Sequence, residues 1–280
     1  MKLIPLKGNS QKLDGGAMFG NAPKALWQRW VKVDELNRIE LSCRSLLIQY
    51  QGNNILLETG IGAFFDPHLR DRYGVVESDH RLLIALQEHQ LTHEDIDMVI
   101  LSHLHFDHAG GMLTPWQADS DSQLLFPNAQ IYVGKEQWER ACQPNRRDRG
   151  SYIPGLQTLL KNSGRLHLVE RNDAAPYPEI LSFLWSDGHT PGLMMTWIKT
   201  DNCPVVFASD LVPGSPWVNL SITMGYDRYP ELLIDEKTRL IESLIAENGM
   251  IAFPHDAEMA IGKIIKDAKG KYMAEEVELK

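Results

Sequence analysis

The sequence predicts an α/β fold, layered in the α+β manner, with a single domain over residues 1–280. Three observations carry that reading. Short apolar runs of the kind that form buried strands recur along the chain. Segments with helical apolar spacing fall between some of these runs but not all, so the strict strand–helix alternation of a parallel sheet is missing. At 280 residues and 43 % hydrophobic content, the chain can also bury a sizeable core.

Taken in order, Ser45–Gln51 and Ile55–Glu58 flank Gly52-Asn53-Asn54 and read as a β-hairpin on a three-residue turn. The second strand leaves through Thr59-Gly60-Ile61-Gly62, a glycine-rich exit into a loop. From Ser78 to Gln90, Leu82, Leu83, Ala85 and Leu86 keep helical spacing, with Ser78 as the N-cap. Thr92 caps a short turn that carries Glu94 and Asp95 in its first positions. Met98–Leu101 has the composition of a buried strand and stops at Ser102, where a histidine cluster begins. Further strands are expected at Gln130–Val133, Arg165–Val169, Ile180–Trp185, Met194–Lys199, Val205–Ala208 and Met250–Phe253. Helices are expected at Lys135–Ala141, at Asp235–Glu247 with Asp235 as its cap and Gly249 beyond its end, and near Glu258–Lys269. The arginine-bearing stretch Gln143–Ser151 reads as a surface loop.

Composition narrows the function classes. A net charge of −9 runs against a nucleic-acid partner, which needs a basic face. No stretch approaches the ~20 apolar residues that span a bilayer, and the first residues lack the apolar core of a signal peptide. Cys43, Cys142 and Cys203 are far apart, with no CxxC pair, which suits a reducing compartment and a cytoplasmic location.

The chemistry sits in His103-Leu104-His105-Phe106-Asp107-His108, three imidazoles and a carboxylate within six residues. A single histidine in a core is ordinarily a hydrogen-bonded structural residue. Three so close, buried without a metal, would need several polar partners at once, at about 1–3 kcal/mol for each that is unmet. Metal ligation meets that need, with the glycine-relieved turn Ala109-Gly110-Gly111 allowing the segment to aim inward. Four donors cannot fill two coordination spheres, and three further candidates lie at strand ends: His189 after the run closing at Trp185, Asp210 after Phe207-Ala208-Ser209, and His255 after Ile251–Pro254.

The segments His103–His108, Gly188-His189-Thr190-Pro191-Gly192, Ser209-Asp210 and Phe253-Pro254-His255 resemble the successive metal motifs of the metallo-β-lactamase superfamily. The run Ser102–Gly111 is most similar to its acyl-homoserine lactonase and organophosphate-hydrolase branch, and Glu58-Thr59-Gly60 resembles the superfamily's Asp-Thr-Gly turn. The resemblance implies an αβ/βα sandwich holding two divalent transition-metal ions, zinc first, with Mn²⁺, Co²⁺ or Fe²⁺ as alternatives. It gives one ion to His103, His105 and His189, the other to Asp107, His108 and His255, and makes Asp210 the bridge. Two positions depart from the pattern: Glu58 replaces the usual aspartate, and Pro213 stands where lactonases place a tyrosine.

The implied reaction is hydrolysis of a lactone, ester or phosphotriester by a metal-bridging hydroxide, with Asp107 orienting it and carrying a proton to the leaving group. Tyr226 is the candidate to replace the missing phenol, the alternative being that Tyr226 and Tyr229 pack structurally near Asp235. Phe19, Phe106 and Met224 are candidate substrate-binding residues, with Met18, Phe64, Tyr152, Trp217 and Tyr226 as further wall residues. The expected partner is a small-molecule substrate, without nucleic acid or membrane, in a monomer or homodimer. Glyoxalase II-like thioester hydrolysis and a non-catalytic metal-binding scaffold are the competing readings. A β-lactamase proper would use cysteine where Asp210 stands, and diiron oxygen chemistry a carboxylate at His105.

Overall fold

The computed structural model describes residues 1–278 and divides into two compact units. One comprises Met1–Gln11 and Ser42–Asp173; the other comprises Lys12–Leu41 and the chain from Ala174 onward. The strands in chain order are β1 (Lys2–Leu6), β2 (Ser10–Asp14), β3 (Arg38–Ser42), β4 (Ser45–Tyr50), β5 (Asn53–Leu57), β6 (Met98–Leu101), β7 (Gln130–Gly134), β8 (Leu166–Val169), β9 (Leu181–Ser186), β10 (Leu193–Ile198), β11 (Val205–Phe207), β12 (Met250–Ala252), β13 (Ile261–Lys266) and β14 (Tyr272–Glu276). β2 and β3 pair as a two-stranded ribbon.

The first unit is built on a six-stranded sheet in the order β1-β4-β5-β6-β7-β8. β4 pairs antiparallel with β1 and β5, and β5 to β8 run parallel. All four residues of β6 are buried, as a central parallel strand requires. The β4–β5 hairpin closes on the two residues Gln51 and Gly52, at φ 49° and 82°, and not on the expected three-residue turn. Two consecutive positive φ angles match the twist of the flanking strands, which frees Asn53 and Asn54 to join β5. The helix Arg81–Glu88 buries Leu82, Ala85 and Leu86 on one stripe. Its cap is not Ser78: Asn9 Oδ1 accepts from the Arg81 amide at 3.0 Å, a cap supplied from 72 residues away. Thr92 and Asp95 form the capping box of the next turn.

The second unit holds the sheet β14-β13-β12-β11-β10-β9, antiparallel except where β11 and β12 run parallel. The helix expected near Glu258–Lys269 is instead β13, which turns at Asp267–Gly270 into β14. Ile261, Ile264 and Ile265 favour a pleated surface, and Asp267 Oδ1 ties the turn by accepting from the Lys269 and Lys271 amides. The long helix begins at Pro230, five residues before Asp235, because proline is pre-set for the first helical position and needs no N–H partner. Its buried stripe is Leu233, Lys237, Leu240, Ile241 and Leu244. Each unit has its own apolar core, about Leu47, Leu56, Val99 and Ile131 in the first and Phe19, Leu193, Val206 and Ile251 in the second. Burial of each such side chain is worth about 1.5–3 kcal/mol. Among the described residues no helix is long and apolar enough to cross a membrane.

Candidate metal centre

In the first unit, β6 delivers the chain into Ser102, and His105 stands at the N-cap of the one-turn helix Phe106–Ala109. This geometry gathers His103, His105, Asp107 and His108 at one strand end. The His103 Nε2 and His105 Nδ1 atoms lie 3.0 Å apart. His108 Nδ1 meets Glu58 Oε2 at 2.6 Å, and Ser102 Oγ lies 2.9 Å from His103 Nδ1. Ser102 Oγ also donates to Glu58 Oε1. One buried carboxylate therefore fixes two imidazoles, His108 directly and His103 through a hydroxyl. Each of these two rings is held at its Nδ1, which leaves Nε2 available as a metal donor, the outer-partner arrangement common to ligating histidines. Asp107 is oriented by Gln11, whose Nε2 donates to its Oδ2 at 2.9 Å.

The turn beneath this cluster is tightly packed. Gly60 has φ 65°, and a Cβ there would lie 2.5 Å from the Cys43 carbonyl oxygen. Thr59 donates to the His108 carbonyl from both its amide and its hydroxyl, at 2.9 and 3.0 Å. His80 Nε2 reaches the Gly111 carbonyl at 3.1 Å. Burial pushes the His80 pKa down to about 4, against the opposing pull of that carbonyl, so the ring is neutral in the folded protein. Unfolded, it regains the ordinary value of 6.5. The unfolded chain then takes up the proton first as pH falls. Stability from this group is complete above pH 6.5 and is lost as pH falls toward about 4, by about 3 kcal/mol over the full window. Denaturant melts of wild type and His80→Gln should therefore converge between pH 7 and pH 4.5. A stability difference that stays constant with pH would contradict a neutral buried His80.

The second unit gathers His189, Asp210 and His255. His189 lies in the loop after β9, where Glu236 accepts from Ser186 Oγ at 2.6 Å and from the Asp187 and Gly188 amides at 3.0 Å each. Gly188 is required for close approach, since a Cβ there would lie 2.5 Å from Leu233 Cα. Asp210 sits in the 3₁₀ turn Ser209–Leu211 directly after β11. His255 follows β12, its amide bound to the Pro213 carbonyl at 2.9 Å, so the proline at the departing position anchors a histidine backbone. Asp210 Oδ2 lies 3.2 Å from His189 Nε2, and Oδ1 lies 3.2 Å from His255 Nε2. Asp227 Oδ1 takes His189 Nδ1 at 2.8 Å. Two buried imidazoles with Nε2 turned to one carboxylate, His189 with its Nδ1 held by a second, form a donor set that suits a divalent transition metal.

Sequence reasoning did not single out Gln11, Ser102, Asp227 or Glu236. Gln11 and Asp107 are 96 residues apart, and Asp227 and His189 are 38 apart, so no local pattern marks either pair. Of the expected substrate residues, Phe19 is corrected: it is fully buried, stacked between Trp27 at 5.2 Å and Trp217 at 4.7 Å, and has no surface to offer a ligand. Phe106 is buried against Tyr73 and Phe65, and Met224 is buried with its amide on Asp227. Tyr226 is exposed, and its carbonyl accepts from Arg228. After Asp210, Ser215–Val218 forms a 3₁₀ turn with Pro216 in its first positions.

Residues 38–255 match the metallo-beta-lactamase superfamily pattern. An N-acyl homoserine lactonase of Bacillus sp. is 25 % identical over 238 residues, covering 80 % of this chain and 85 % of the relative. A lactonase of the same description from Bacillus cereus is 24 % identical over 249 residues, covering 81 % and 86 %. Among solved structures, one described as a probable metal-dependent hydrolase from Staphylococcus aureus matches with TM-score 0.87 and 31 % identity over 99 % of this chain and 98 % of that one. The dizinc quorum-quenching lactonase AidC, in complex with N-hexanoyl-L-homoserine, shares the fold at TM-score 0.77 and 21 % identity over 99 % and 95 %. The chain therefore belongs to the metallo-β-lactamase superfamily, with its layered α/β fold, and is a hydrolase related to the N-acyl homoserine lactonases.

Proposed function

We propose that residues 1–280 act as one domain, a dinuclear metal hydrolase that opens a lactone or cleaves a related ester or phosphotriester. One ion is held by His103, His105 and His189, the other by Asp107, His108 and His255, with Asp210 shared. The observation that carries this reading is the position of Asp210, whose two carboxylate oxygens face two different imidazoles, each at 3.2 Å. Zinc suits the imidazole-rich set best, with Mn²⁺, Co²⁺ or Fe²⁺ accommodated by the same donors. When bound, such ions supply Lewis acidity and lower the pKa of water toward neutrality.

The chain's own residues do the rest. Gln11 fixes Asp107 Oδ2, which orients the carboxylate so that Oδ1 accepts a proton from the attacking water and returns it to the leaving alkoxide. Glu58 and Asp227 hold the imidazoles at the one angle ligation needs. Tyr226, exposed on the loop that carries Asp227, is the donor assigned to the developing oxyanion. Among the described residues Cys43, Cys142 and Cys203 form no disulfide, which supports a reducing, cytoplasmic location.

The test is turnover by zinc-loaded protein on N-acyl homoserine lactones, simple lactones, aryl esters, thioesters and phosphotriesters. The expected result is highest kcat/KM on a lactone or oxygen ester. A clear preference for thioesters would favour the glyoxalase II-like alternative, and two bound ions without turnover would favour a scaffold. On the best substrate, Tyr226→Phe should lower kcat by ~10²–10³ with metal content unchanged. Near-normal kcat would remove the phenol from the mechanism.

A further inference from the structure

The buried stripe of the helix Pro230–Ala246 holds one residue that apolar packing does not explain. Lys237 is fully buried, in line with Leu233, Leu240, Ile241 and Leu244. Among the described residues it has no carboxylate within ion-pair distance. Removing an ammonium from water is costly, and lysine is almost never found fully buried without compensation. The compensation here comes from carbonyls. Nζ donates to Trp217 O at 3.1 Å, Asn219 O at 3.1 Å and Ile222 O at 2.6 Å. Three N–H donors meet three acceptors, which uses an ammonium to its full capacity.

All three carbonyls belong to one loop, and that loop leads to the metal centre. It closes on itself through the Ile222 amide and the Asn219 carbonyl at 3.1 Å, then reaches Met224, whose amide donates to Asp227 Oδ2 at 2.6 Å. The other oxygen of Asp227 holds His189 Nδ1 at 2.8 Å. The Arg228 and Tyr229 amides then bind the carbonyls of His189 and Gly188, at 3.2 and 2.8 Å. From the same helix, the neighbouring Glu236 pins Ser186, Asp187 and Gly188. Adjacent residues of opposite charge thus hold the chain just before His189 and the loop that leads to its partner Asp227.

We infer that Lys237 is a positioning residue for His189, acting through the Trp217–Asp227 loop and the Asp227 carboxylate. The inference rests on the reading of His189 as a metal ligand. Burial pulls the Lys237 pKa down to about 7, and the negative charge of Asp227, working against that fall, favours the charged form that makes all three bonds. Glu236 gives the chain before His189 its hydrogen bonds, and Lys237 gives the loop behind it a fixed floor.

The test is zinc retention by zinc-loaded protein against a competing chromogenic chelator, well below the unfolding temperature. The variants are Lys237→Met, which keeps length but removes charge and donors, Asp227→Asn, and the two combined. Lys237→Met and Asp227→Asn should each weaken zinc retention by ~10–100-fold, the usual cost of losing an outer partner of a ligand. The double variant should be no worse than the weaker single one, because both act on the same contact. Leu244→Ala, a cavity in the same helix, serves as the control for general loosening and should retain zinc. If Lys237→Met does not fold, Lys237→Gln takes its place in the same cycle. Unchanged retention in the lysine variant, losses that multiply in the double, or equal loss in Leu244→Ala would each overturn the inference. Wild type that binds no zinc would instead sink the metal reading itself.

Discussion

Asp210→Asn is expected to remove metal and turnover together. The carboxylate presents one oxygen to His189 Nε2 and the other to His255 Nε2, each at 3.2 Å. In the proposed dinuclear site, its charge is what would allow two cations to share one side chain. An amide of the same shape is neutral, and one of its two positions becomes a donor, which faces a cation with the wrong polarity. The loss in metal affinity should exceed the ~10–100-fold that follows removal of an outer partner, and kcat/KM should fall with it. Asp256→Asn is the contrasting substitution. By sequence Asp256 is a bystander beside His255, for which a mild effect is expected. In the structure its carboxylate accepts from the Ser215 amide and hydroxyl and from the Glu258 and Met259 amides, at 2.6–3.0 Å. That variant should lose stability, about 1–3 kcal/mol, while keeping its metal. Elemental analysis and thermal melts separate the two. Metal lost from Asp256→Asn and kept by Asp210→Asn would mean the shared carboxylate is misassigned.

The second large effect is expected at Glu58. It stands where the superfamily resemblance leads one to expect aspartate, and the extra methylene lets one side chain reach both His108 Nδ1 and Ser102 Oγ. Glu58→Ala strands the His108 ring N–H and the Ser102 hydroxyl in a buried site, at about 1–3 kcal/mol for each unmet group. It also frees the His103 and His108 rings, the proposed ligands, to rotate. Zinc affinity should fall ~10–100-fold by chelator competition, with a lower unfolding temperature in the metal-free protein. Unchanged affinity would show that His103 and His108 are held in place by the backbone turn alone.

How much of this was legible in the sequence depends on how far apart the interacting residues lie. β6 falls on its expected residues, Met98–Leu101, because a central parallel strand must be apolar at every position. The histidine cluster is equally visible, since His103 to His108 are neighbours in the chain. The Asn9 cap on Arg81, the Gln11 brace on Asp107 and the Asp227 brace on His189 are tertiary pairings with no local mark. β1, β2 and β3 escape for a related reason, as they are short and mixed in polarity and pair with strands remote in sequence. β13 shows the opposite case, where a lysine-rich segment with isoleucines suggests a helix and tertiary pairing with β12 makes it a strand. Phe19 illustrates a further limit. Aromatic character near a site marks a wall residue and a core residue alike, and only the stacking on Trp27 and Trp217 tells them apart.

In the proposed function, these side chains hold two ions per chain. Elemental analysis of protein purified without chelator and then equilibrated with Zn²⁺ tests this most directly, because seven donors in two sets would set the stoichiometry independently of substrate. About two transition-metal ions per chain are expected, falling below one in Asp210→Asn. A wild-type value that stays at one ion per chain, unmoved by added Zn²⁺ or Mn²⁺, would contradict it.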